Sequence, residues 1–105
     1  MPMLKEGTYT PWGRADAIEV LAPGIEFAGT PSHGGVKLSD ERLAAMPADQ
    51  RTRDGWYEED CEAAFPLHHF RNELSAREIE RNGRWMAGIQ RMYGGDFSKC
   101  RMPHH

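Results

Sequence analysis

The sequence predicts a small α+β domain, a two-stranded antiparallel hairpin packed with about three helices, the longest of them C-terminal. Three features carry that expectation. IEFAG at 25–29 and GVKLS at 35–39 alternate apolar and polar residues as half-buried strands do, and a link with Pro31 and Gly34-Gly35 joins them. Ser39 stands before DERLAAM as a helix N-cap. Ser75-Ala-Arg-Glu78 has the form of a capping box opening a longer helix.

Taken in order, residues 1–13 read as an N-terminal arm, because Pro2, Gly7, Pro11 and Gly13 interrupt any helix. The domain proper is expected at 14–93. Its first element, ADAIEVLA at 15–22, is rich in helix formers and stops at Pro23-Gly24, so a short helix is expected, although IEV also suits a strand. In TPSHGG, Gly34 and Gly35 are expected to supply the backbone angles of a turn, with Thr30 and Ser32 bonding to local backbone. Asp40 and Glu41 sit where a helix dipole favours negative charge, and Pro47 ends that helix. ADQRTRDG at 48–55 is a polar loop. Trp56 and Tyr57 can anchor a core, and Glu58 to Phe65 is expected to be helical up to Pro66, with Cys61, Ala64 and Phe65 on one face.

The last helix is expected from Ser75 to about Tyr93. Ile79, Met86, Ile89 and Tyr93 form its apolar stripe, with Arg77, Arg81, Arg84 and Arg91 beside it. Gly83 and Gly88 each weaken it by about 1 kcal/mol relative to Ala. Residues 94–105 read as a flexible tail, with His104-His105 either native or a tag remnant.

A chain of 105 residues makes one domain with a modest core. Its 39% hydrophobic and 28% charged content is that of a globular rather than a disordered chain. No apolar run reaches membrane-spanning length, and MPMLKEGTY lacks a signal-peptide core, so a cytoplasmic location is expected. In that compartment Cys61 and Cys100, which form no CxxC pair, read as reduced structural thiols. The net charge of −3 divides into −6 for residues 1–65 and +3 for residues 66–105. That split either suits an anionic partner for the basic half or lets the two halves face one another.

Thr30, Ser32, His33, Gly34, Gly35, Leu38 and Ser39, then Met46-Pro47, then Gly55 to Cys61 (GWYEEDC), follow one another in a recurring order. That order resembles a family of small uncharacterised bacterial proteins found largely on phages, plasmids and integrative elements. The likeness covers roughly residues 25–70. In that family the acidic motif runs into a longer apolar helix, whereas EAAFPLHHF here is shorter. The resemblance implies a mobile-element setting in a bacterial host cell and no particular activity.

Four chemistries can be drawn from these residues. A Cys–His pair with a carboxylate activates a thiolate, which points to His33 and Cys61 with Glu58, Glu59 and Asp60. The same acids would raise the thiol pKa and weaken the nucleophile. A metal would need His33, His68, His69, Cys61 and an acid, or Glu58 and Glu62 at i, i+4, but no HExxH or CxxC spacing supports one. Arg77, Arg81, Arg84 and Arg91 with Trp85 and Tyr93 could meet nucleic acid, against an acidic pI near 5.9 and nearby acids able to pair with them. Finally, an acidic ledge at Glu58–Asp60 with exposed Trp56 and Tyr57 would suit a basic protein partner.

His33 is expected to bond across to the acidic motif and so tie SHGG to WYEEDC. The favoured function is a non-enzymatic protein-binding module without a cofactor. By analogy it would inhibit a host-defence or nucleic-acid enzyme, as anti-CRISPR proteins do. Its binding candidates are Ser32, His33, Trp56, Tyr57, Glu58, Glu59, Asp60 and Cys61. A small enzyme or metal site at His33 and Cys61, and nucleic-acid binding by the arginine stripe, are the alternatives.

Overall fold

The computed structural model describes residues 2–59 and 61–100. Its centre is an antiparallel sheet of four strands in chain order: β3 (Ala17–Ala22), β4 (Ile25–Gly29), β5 (Gly34–Leu38) and β6 (Trp56–Glu58). A smaller hairpin, β1 (Tyr9–Thr10) and β2 (Gly13–Arg14), precedes it. Three helices complete the fold: α1 (Asp40–Ala45), α2 (Ala64–His69) and α3 (Ala76–Tyr93). The fold is α+β as expected, with the expected β4–β5 hairpin at its centre.

Two elements differ from the sequence reading. ADAIEVLA is the edge strand β3, not a helix. Pro23 and Gly24 form the turn that folds it onto β4, with Gly24 at φ 79°, the positive value that the third residue of a type II turn requires. Once β4 is alongside, ladder bonds and cross-strand packing outweigh the helix propensity of Ala, Glu and Leu. The second difference lies in GWYEEDCEAAF. Trp56–Glu58 pairs with Gly35–Lys37 as strand β6, and the helix begins only at Ala64. Pro66 does not end that helix. It sits in the first turn, where its missing N–H has no intrahelical acceptor to lose.

Register divides the sheet into two faces. Ile25 opposite Leu38 and Phe27 opposite Val36, with Val36 opposite Tyr57, put these side chains on the face that packs against α2 and α3. Ala28 and Trp56 fall on the other face, where they cluster with Ala15 and are covered by Leu4, Trp12 and Ile18. The segment read as an arm is therefore the cover of that face. Buried Glu26 fastens it by accepting from the backbone N–H of Met3 at 2.7 Å and of Leu4 at 2.9 Å. Trp12 meets Trp56 edge-on at 5.7 Å between ring centroids.

Both predicted N-caps form, but the Glu78 carboxylate pairs with Arg81 instead of completing a capping box with the Ser75 N–H. Ser39 accepts from the N–H of Arg42 and Ser75 from that of Glu78. Arg42 links three elements, donating to the Pro23 carbonyl, pairing with both oxygens of Glu73 and lying over the Phe70 ring. The Arg42 guanidinium holds the Glu73 carboxyl below its ordinary pKa. On α3 the buried face is Glu78, Asn82 and Ile89, and Ile79 of the predicted apolar stripe is 42% exposed.

The tail is likewise anchored up to its last described residue. Phe97 is buried against Phe65 at 5.0 Å and Tyr57 at 5.9 Å, and Cys100 is bonded to Cys61. The expectation of two reduced thiols is corrected here. They lie 39 positions apart in sequence, and the fold brings their Cα atoms to 5.6 Å, within disulfide reach. His104 and His105 lie outside the described residues.

Candidate functional site

SHGG and WYEE meet as neighbouring strands. Gly35 lies opposite Glu58 and Val36 opposite Tyr57, and the Glu59 N–H donates to the Gly34 carbonyl at 3.0 Å. The two strings are thus joined through the main chain, not by the expected imidazole bridge. Exposed His33 gives its backbone to the turn: its N–H donates to Thr30 Oγ1, and its carbonyl accepts from the N–H and hydroxyl of Thr30. Ser32 is exposed on the same turn.

The two glycines are strand residues, and neither has the positive φ expected of a turn. Their role is close approach. A Cβ on Gly35 would lie 2.2 Å from Trp12 Cη2 and 2.5 Å from the Tyr57 carbonyl oxygen. One on Gly34 would lie 2.8 Å from Phe27 Cζ and 3.1 Å from Glu59 Oε2.

Trp56 and Tyr57 are core residues, 7% and 0% exposed, so the expected aromatic ledge does not form. The Tyr57 hydroxyl donates to the Gln50 carbonyl at 2.6 Å, and burial pushes the phenol up to about 12. Glu58 and Glu62 do not share a helical face. Fully buried Glu62 instead accepts from the Glu58 N–H at 2.8 Å and closes the turn after β6. Cys61, tied to Cys100, carries no thiolate to pair with His33, which corrects the nucleophile reading. Asp60 lies outside the described residues.

Among the described residues no three His, Cys, Asp or Glu side chains gather in a way that could hold a metal ion. His68 and His69 follow one another at the end of α2. The pKa of His68 is lowered by burial and by the neighbouring Arg71 and His69. The arginine stripe is divided among partners. Arg81 pairs with Glu78 at 2.5 Å and lies over Trp85, Arg84 pairs with Glu80 at 3.5 Å, and Arg77 and Arg91 are exposed.

The structure adds a cleft that the sequence reading does not contain. It is lined by sheet residues Leu21, Phe27 and Val36, by Ala63 and Leu67, and by Trp85 of α3. Glu19, Glu59 and Arg81 are its charged lining residues. Its volume is about 150 Å³, the size of a cavity able to take one benzene-sized group. Glu19 is exposed on edge strand β3 and makes no ion pair among the described residues. The charge of Arg81 is already met by Glu78.

Of the sequence candidates among the described residues, Glu59, Arg81 and Trp85 line this cleft. Phe27 and Val36 could be placed together from the hairpin register, and Trp85 one helical turn beyond Arg81. Glu19 and Leu21 were out of reach, because their segment reads as a helix.

No helix among the described residues is long and apolar enough to cross a membrane. No curated protein and no solved structure matches the chain. A family model described as a domain of unknown function matches residues 5–98, from the segment covering the sheet to the last short turn that buries Phe97. The chain belongs to that family, the domain of unknown function DUF7007.

Proposed function

We propose that the domain is a non-enzymatic protein-binding module and that the cleft between the sheet and α3 receives a long basic side chain of its partner. One observation carries the reading: the cleft joins an apolar lining of Leu21, Phe27, Val36 and Leu67 to the side chain of exposed Glu19. Lys and Arg bury an aliphatic stem while keeping the charged head in polar surroundings, which suits such a cleft. The acidic balance of the first 65 residues favours encounter with a basic surface. The setting we propose is a phage or other mobile element, with a basic host-defence or nucleic-acid enzyme as partner. The family resemblance of the SHGG and GWYEEDC strings supports that setting.

The test uses the full chain, ¹⁵N-labelled, titrated with a short oligolysine and, separately, with an oligoglutamate of equal length. The expected result is a set of shifts confined to Glu19, Leu21, Glu59 and the Trp85 indole with the basic peptide only, lost in Glu19→Gln. Equal responses to both peptides, or shifts spread over the acidic surface and unchanged in Glu19→Gln, would reject the cleft as the binding site.

A further inference from the structure

We infer that the Cys61–Cys100 disulfide is a thiol-exchange clasp, opened through Cys61 by a dithiol reductant, and that its opening releases the segment from Gly94 to Cys100 while the sheet stays folded. Two observations support this. The two half-cystines differ in access: residue Cys100 is 3% exposed, whereas residue Cys61 is partly exposed on the turn after β6. The hydrogen bonds described for residues 96–100 all stay within residues 93–100: Asp96 to the Tyr93 carbonyl, Ser98 to Asp96, Lys99 to the Asp96 carbonyl and Cys100 to the Phe97 carbonyl. Beyond α3, therefore, it is the packing of Phe97 and neighbouring residues, together with the disulfide, that holds this segment to the rest of the fold.

A reductant thiolate attacks Cys61 Sγ, the Cys61–Cys100 bond breaks, and Cys100 leaves as a thiolate that takes a proton. The second thiol of the reductant then attacks the mixed disulfide and frees Cys61 as a thiol. The reductant is oxidised by two electrons to its own disulfide, and the protein disulfide is reduced by the same two. Release of Phe97 uncovers the faces of Tyr57 and Phe65 that it packs against. The clasp would be open in a reducing compartment and closed in an oxidising one.

The experiment compares the air-oxidised full chain with and without dithiothreitol. Iodoacetamide labelling reads the cysteines, and hydrogen exchange followed by mass spectrometry reads the backbone. We expect no labelling without reductant. With it, both cysteines should be labelled and exchange should quicken at 94–100 and 61–65, while β4, β5 and β6 keep their protection. The Cys61→Ser/Cys100→Ser variant should show the reduced exchange pattern and no response to dithiothreitol. Labelling without reductant would overturn the clasp. So would reduction that leaves 94–100 protected, or reduction that unfolds β4 and β5 along with the rest.

Discussion

Gly35→Ala places a methyl group 2.2 Å from Trp12 Cη2 and 2.5 Å from the Tyr57 carbonyl oxygen. Carbon atoms rest at about 3.5–4.0 Å, so the Trp12 ring must withdraw by more than an ångström. The carbonyl belongs to β6, paired there with β5, so its retreat pulls on the sheet ladder. Overpacking of this kind costs about 1–3 kcal/mol. Loss of the edge-on Trp12–Trp56 pair adds about 0.5–1.5 kcal/mol. Removing a glycine from the unfolded chain returns about 0.4–1 kcal/mol. The expected net loss is about 2–3 kcal/mol, or roughly 10–20 °C in Tm for a domain of this size. Thermal melts followed by circular dichroism would measure it. In a Trp12→Ala background the ring clash is gone and the carbonyl clash remains, so the same substitution should cost less, by on the order of 1 kcal/mol. A Gly35→Ala protein that melts with wild type, or an equal cost in both backgrounds, would refute the close-approach account of this glycine.

Gly83→Ala should do the reverse. Gly83 is exposed in the middle of α3 with nothing near its missing Cβ, so calorimetry should show a gain of about 1 kcal/mol. Tyr57→Phe should lose about 1 kcal/mol with the hydroxyl bond to Gln50. Because the folded phenol pKa is raised from 10.0 to about 12, the stability it confers is present below pH 10 and drains as pH climbs toward 12. Melts between those pH values should therefore fall less steeply in the variant. Glu73→Gln should lower Tm at neutral pH, and the difference should shrink as pH falls below the ordinary carboxyl value of 4.5, since the Glu73 carboxyl is held down by Arg42. Glu26→Ala removes the acceptor of the Met3 and Leu4 N–H groups. Trypsin should then cut after Lys5 faster than in wild type, seen by mass spectrometry, while the sheet stays resistant.

Local features of the chain are legible from its residues alone. Ser39 and Ser75 cap helices because a hydroxyl one residue before a helix satisfies its open N–H groups whatever surrounds it. Strands β4 and β5 are legible because alternation shows a half-buried face directly. The SHGG and WYEE strings stand out, and Glu59 and Arg81 are on the page as charged residues near aromatic ones. Only the tertiary structure decided what depends on distant neighbours. AIEVLA is a strand because β4 is there to pair with it, and WYE because β5 is. The glycines of SHGG are set by Trp12 and Phe27, far from them or on another strand, so no turn rule could explain them. Trp56 and Tyr57 are buried because the N-terminal cover closes one face of the sheet and Phe97 helps close the other. The cleft combines Glu19, Phe27, Glu59, Arg81 and Trp85 from four separate elements of the chain, and Cys61 meets Cys100 39 positions further on. Such encounters are fixed by packing and register, which sequence spacing does not record.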